Sequence, residues 1–279
     1  MNGLASLWRH SFVGPTAPDA GCRAPLTRLV WFAVSIAVLS AAAASFLAVW
    51  IDLPWWKIFR RCVSVAALLT LWSFMRYLHH RPLRALGLGA WGEGRRQVVQ
   101  GALIGCSVVA LIGAWYLLVG WCRVSIHPDS VRLWRILLVS VPAMGLVAVL
   151  EELIFRGYLL QQLMSCSKTL AMAGSSACYA LVHLRPNPVW PSSGLELTGL
   201  FILGWVLALS ALRTKQLYFA IGLHASLAYW ARVNKLLIEF TTPSLQWLVG
   251  TNRLVNGVVA WCALAGIGWW ILRRTRIPA

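Results

Sequence analysis

Two adjacent glutamates, Glu151 and Glu152, interrupt an apolar run that reads Val147-Ala148-Val149-Leu150-Glu151-Glu152-Leu153-Ile154-Phe155-Arg156, in a chain with only 8 acidic residues. If that run crosses a bilayer, each ionisable side chain near its middle costs about 2.5–3.5 kcal/mol on insertion scales. A position at the end of a helix would remove the cost, but the apolar character continues through Tyr158, Leu159, Leu160 and Leu163. Spacing separates the two carboxylates. Glu152 and Arg156 are four residues apart and share a helix face, so they can pair. Glu151 is turned about 100° away and has Phe155 at the equivalent position. It is left as a desolvated carboxylate without a cation of its own, which suits a general base.

A base needs partners, and two histidines on other apolar segments qualify. His183 closes the stretch Gly174 to His183, and His224 lies within Phe219 to Ser226. With a turn at 165–169, Glu151 and His183 fall at similar distances from it, so an antiparallel helix pair brings them to one depth. The other histidines have simpler readings: His79 and His80 at a helix end beside Arg81, His127 in a Pro-Asp loop, His10 in the N-terminal tail. Glu196 starts a span, where an acidic residue suits the helix dipole. Asn234 and Glu239 are expected to face water.

The elements that must position these groups follow from composition. The sequence is 59% hydrophobic and 12% charged, against roughly 45–50% and about 25% in soluble domains. One soluble core cannot hold that much apolar surface, so the fold class is all-α, a polytopic transmembrane helical bundle. Eight candidate spans are read at roughly 29–50, 58–78, 98–121, 133–164, 170–184, 195–212, 216–231 and 254–272. The fifth and seventh are short and carry the histidines, so other helices must enclose them. Residues 1–28 read as a poorly ordered tail, 29–279 as one transmembrane domain, and the first span as retained rather than cleaved. Pro142 is a candidate kink in the fourth span, and Gly101-x-x-x-Gly105 permits close helix approach in the third.

The formal net charge of +17 raises the question of nucleic acid, but the cations sit in short loops between apolar runs, as membrane anchors do. No nucleic acid partner is expected; the partners are membrane lipids. Basic loop residues are more numerous on the side that carries both termini, which favours cytoplasmic termini in the cell membrane. The 7 cysteines form no C-x-x-C pair and read as small apolar side chains. Many of the 17 tryptophans cluster near segment ends, as interfacial belts do.

At these residues the chain resembles the CPBP family, which includes CAAX prenyl endopeptidases and bacteriocin-processing or self-immunity proteases. The Glu-Glu-x-x-x-Arg motif is matched by Glu151, Glu152 and Arg156, the aromatic-x-x-x-His motif by Tyr179 and His183, with Tyr where the family usually has Phe, and a later histidine by His224. The resemblance covers roughly 81–232 and includes Leu86-Gly87-Leu88. It implies an intramembrane endopeptidase acting on a membrane-associated or lipidated peptide, with Glu151 and His183 activating water, His224 stabilising the oxyanion, and Glu152 with Arg156 holding the site. The resemblance leaves metal-dependent and glutamate-dependent catalysis both open: Glu151 with the two histidines could ligate zinc, but the chain has no His-Glu-x-x-His, and the favoured reading requires no cofactor. Where the family often has Asn, four residues after the last histidine, this chain has Ala228. That departure leaves room for a second reading, a membrane scaffold that binds a peptide tail in the same cavity without cutting it.

Overall fold

The computed structural model describes residues 22–184, 187–241, 243–250 and 256–273. They form an all-α membrane bundle with one short β-ribbon. Among the described residues, eight helices stand where eight apolar runs were read: α1 Arg23–Leu47, α2 Trp55–Leu78, α3 Trp91–Leu118, α4 Ser130–Met164, α5 Lys168–Leu181, α6 Ser192–Thr214, α7 Tyr218–Val233 and α8 Val258–Arg273. Five of them, α1 to α4 and α6, are long and apolar enough to cross a membrane.

Helix starts follow local chemistry. Asp129 caps α4 by accepting from the Arg132 amide at 2.8 Å, and Ser167 caps α5 by accepting from the Leu170 amide at 3.0 Å, each meeting a donor the first helical turn leaves unpaired. Helix α1 begins at Arg23, ahead of the boundary expected at residue 29; the earlier part of the expected tail, residues 1–21, lies outside the described residues. Helix α4 passes through Pro142, and its irregularity comes instead as a π-helical stretch, Leu153–Leu159, directly after the glutamates. Such stretches often occur at functional sites.

The short helix α7 is enclosed, as its polar content requires. It packs chiefly on α3 and α4, and also on α6, and every residue from Tyr218 to His224 is buried. Glycines make the α3–α7 approach possible. A Cβ on Gly101 would collide with the Phe219 carbonyl oxygen and stand 2.7 Å from the Leu223 nitrogen; one on Gly222 would overlap the Val98 carbonyl.

Two expectations need correction. Cys22 and Cys166 form a disulfide across a sequence separation of 144, tying the start of α1 to the turn after α4; they are not independent apolar thiols. Asn234 is buried rather than in water, because the chain after α7 turns back under a two-stranded antiparallel ribbon, β1 Cys122–Val124 with β2 Ile238–Phe240. Glu239 on that ribbon does face water, where it pairs with the exposed Arg123 at 2.7 Å.

The glycine contact yields a paired prediction. Gly222→Ala should destabilise the detergent-solubilised protein by about 1–3 kcal/mol, the usual cost of overpacking. Gly113→Ala, on α3 with nothing within 4 Å of a new Cβ, should be neutral or slightly stabilising through helix propensity. Thermal unfolding of the two variants checks this, and equal shifts would contradict the close-approach account.

Candidate active site

The five residues singled out in the sequence converge from three places. Glu151, Glu152 and Arg156 come from α4, His224 from the middle of α7, and His183 from the turn that follows α5. They meet at a cavity of about 590 Å³ whose wall includes Glu151, Tyr179, His183, Glu196, His224 and Ala228.

The two carboxylates differ sharply. Glu152 and Arg156 are both 0% exposed, and Arg156 donates from Nη1 to Glu152 Oε1 at 2.9 Å. The same oxygen meets His224 Nδ1 at 2.8 Å. Arg156 also donates from Nη2 to the Gly204 carbonyl of α6 at 3.2 Å, and its guanidinium lies 4.5 Å over the Tyr179 ring, a cation–π contact. Glu151 makes no such pair. Its side chain is 25% exposed, and its Oε2 stands 3.6 Å from His224 Nε2 and 3.9 Å from His183 Nε2. That oxygen has no hydrogen-bond partner.

Hydrogen bonding fixes the histidine tautomers. A carbonyl oxygen only accepts, so His183 Nδ1, 2.8 Å from the Tyr179 carbonyl, carries the proton and neutral His183 turns an Nε2 lone pair toward Glu151. His224 Nδ1 likewise donates to Glu152. The arrangement therefore sets one free carboxylate oxygen opposite two imidazole Nε2 atoms on a cavity wall.

By type, Glu151, His183 and His224 make a zinc-like donor set. Among the described residues, however, no three His, Cys, Asp or Glu side chains are arranged to hold a metal ion.

The structure adds residues that spacing left unassigned. Tyr179, matched in sequence only as an aromatic, brings its hydroxyl to 3.2 Å from His224 Nε2. Glu196 lies on the cavity wall rather than serving only a helix terminus, and Arg232 and Lys235 stand on the same wall. For these two cations the available signal was their turn spacing after His224, on α7 and the short helical turn that follows it. Ala228, one turn after His224, also lines the cavity and offers no polar group.

Among known protein families, the model described as Rce1-like, type II CAAX prenyl endopeptidase, matches residues 133–230. That stretch runs from the first turn of α4 to near the end of α7, and is shorter than the 81–232 read from motifs. No curated protein and no solved structure matches the chain. The matched stretch contains Glu151, Glu152, Arg156, His183 and His224 together, and this similarity supports a CPBP-type protease domain over residues 133–230.

Proposed function

We propose that the protein is an intramembrane endopeptidase in which Glu151 activates water. The observation that carries this reading is the unpaired Glu151 Oε2 facing two imidazole Nε2 atoms on the wall of a cavity. The 3.9 Å between Glu151 and His183 is too long for a direct hydrogen bond and suits a bridging water. Glu151 takes a proton from that water while His183 Nε2 orients it. The water oxygen bonds to the carbonyl carbon of a peptide, and the carbonyl π pair moves to oxygen. The proton held by Glu151 then passes to the amide nitrogen as the C–N bond breaks. The products are a carboxylic acid and an amine, with Glu151 restored. Glu152 does not enter the reaction, because Arg156 and His224 engage it; it holds His224 in place. The substrate is a membrane-associated or lipidated peptide reaching the cavity from lipid.

Ala228 supports a second reading, a scaffold that binds a peptide tail without cutting it, since the wall lacks a polar donor there. Comparison of membrane-derived peptides by mass spectrometry between cells expressing wild type and Glu151→Gln separates the two. The peptidase reading expects products that vanish in the variant, with a loss of at least about 10²-fold, the lower end for acid–base catalysis. Identical peptide profiles would support the scaffold. Glu152→Gln should behave differently from Glu151→Gln. It weakens the partner of a fully buried guanidinium and should cost up to about 3–5 kcal/mol of stability, read as a lower unfolding temperature, whereas Glu151→Gln should unfold like wild type.

Two signals on orientation oppose each other. Loop charge favours cytoplasmic termini. The Cys22–Cys166 disulfide lies on that same side, and disulfides persist in oxidising compartments and are rare in the cytosol. We propose that the disulfide decides, since the basic residues are only modestly unequal between the two sides. The termini then face away from the cytoplasm, and the cavity, which His183, Glu196 and Arg232 line at the ends of α5, α6 and α7 away from the Cys166 turn, opens toward it. A C-terminal alkaline phosphatase fusion should be active in a bacterial host and a fluorescent-protein fusion dark; the reverse pattern would restore cytoplasmic termini.

A further inference from the structure

We infer that Tyr179 is a catalytic residue whose hydroxyl donates to the oxyanion of the tetrahedral intermediate, an inference that rests on the peptidase reading above. An oxyanion forming beside Glu151 needs a hydrogen-bond donor on the same wall. Ala228 supplies none, and most of the remaining inner wall is Met, Val, Leu and Ala. Arg232 and Lys235 follow His224 by 8 and 11 residues on α7 and its extension, which sets their backbones about 12 and 16 Å away at 1.5 Å per residue. They line the cavity more than two helical turns beyond His224.

Tyr179 is placed where the donor is needed. Its hydroxyl is 3.2 Å from His224 Nε2, the nitrogen that stands 3.6 Å from Glu151 Oε2. His224 holds its Nδ1 proton against Glu152. When His224 is neutral, its Nε2 lone pair accepts the Tyr179 O–H and has no proton to give an oxyanion, so the hydroxyl turns from that nitrogen to the oxyanion as it forms. When His224 is charged, its Nε2 proton can be offered to the Tyr179 oxygen, and the hydroxyl proton, still bonded to the phenol, points toward the cavity. In both states the phenol O–H can reach the oxyanion, and with neutral His224 it is the donor of the two.

The ring is also held rigidly, which is what makes such a donor effective. Tyr179 is 1% exposed, with the Arg156 guanidinium on its face and Phe155 edge-on with centroids 5.4 Å apart. Its main-chain carbonyl orients His183 through Nδ1. One residue thus sets the tautomer of the histidine beside the water and supplies a hydroxyl beside the other. During attack the phenol keeps its proton: it hydrogen-bonds to the new oxyanion while Glu151 holds the proton taken from water, and no co-reactant is needed.

The test uses the purified full chain in detergent with a quenched-fluorescent farnesylated C-terminal peptide. Tyr179→Phe removes one oxygen and keeps the ring, so its unfolding temperature should match wild type. Its kcat should fall about 10²–10³-fold, the usual loss for one oxyanion donor, with KM within about threefold, as expected for an interaction made in the transition state. Adding Ala228→Asn to Tyr179→Phe places an amide donor one turn from His224 and should recover at least about tenfold of the loss. Wild-type kcat in Tyr179→Phe would overturn the inference. So would a loss that Ala228→Asn does not relieve, because Tyr179 would then act only by positioning His224. Absence of turnover by the wild type would count against the peptidase reading itself, whereas turnover by wild type and Tyr179→Phe alike would count against Tyr179 alone.

Discussion

The buried contact between Glu152 and Arg156 is the constraint on which the rest of the site depends. Both side chains are 0% exposed, so each is unfavourable without the other. The pair does more than neutralise itself. Glu152 Oε1 also accepts a hydrogen bond from His224 Nδ1 on α7, and Arg156 also reaches the Gly204 carbonyl on α6 and the Tyr179 ring on α5. A single ion pair on α4 thereby touches three other helices. Charged groups inside a low-dielectric bundle tolerate little displacement, because a lost partner leaves a desolvated charge. This fixes the relative placement of four helices at one depth, and Glu151 inherits its position from its neighbour without being consumed by the same contacts.

The glycine seam between α3 and α7 serves the same end from the opposite side. Helix α7 carries a buried histidine and has only 16 residues, so lipid is a poor surrounding for it. Gly101 and Gly222 let its backbone come against α3 with no side chain between, and in membranes such small-residue contacts replace the hydrophobic drive that packs soluble helices. With α3 behind it and α4 in front, α7 presents His224 to Glu152 and its Ala228 face to the cavity. Packing and electrostatics therefore act on one helix in one direction.

Much of this was legible in the sequence because it depends on short spacing or on long apolar runs. The four-residue step from Glu152 to Arg156 survives the π-helical stretch that separates them, and the turn near 165 brings Glu151 and His183 to one level, as equal chain lengths require. Eight apolar runs became eight helices, though only five of the described helices are long and apolar enough to cross a membrane. What could not be read depends on contacts between distant segments. Cys22 and Cys166 are separated by 144 positions without a spacing pattern, and nothing local pairs them. The ribbon of three-residue strands and the burial of Asn234 arise from how two connections meet at the end of the bundle. Tyr179 was visible as an aromatic at the right offset from His183, but the direction of its hydroxyl is set by α7, which the offset does not describe.

On the proposed peptidase reading, hydrolysis inside a membrane has to reconcile two demands: charged groups must be withdrawn from lipid, and water must still arrive. The unequal treatment of adjacent carboxylates meets both. Glu152, fully buried, engages Arg156 and His224 through its Oε1; Glu151, one residue earlier and turned by one helical step, keeps 25% of its side chain open to a cavity of about 590 Å³. That volume holds many waters at about 30 Å³ each and leaves room for a segment of extended peptide. A single carboxylate could not do both, since a group paired well enough to be stable in the bundle is too firmly held to exchange a proton. Adjacency along the helix gives the two roles a common depth, while the rotation of about 100° between neighbours gives them separate surroundings. The doubled glutamate is the simplest sequence that satisfies both conditions.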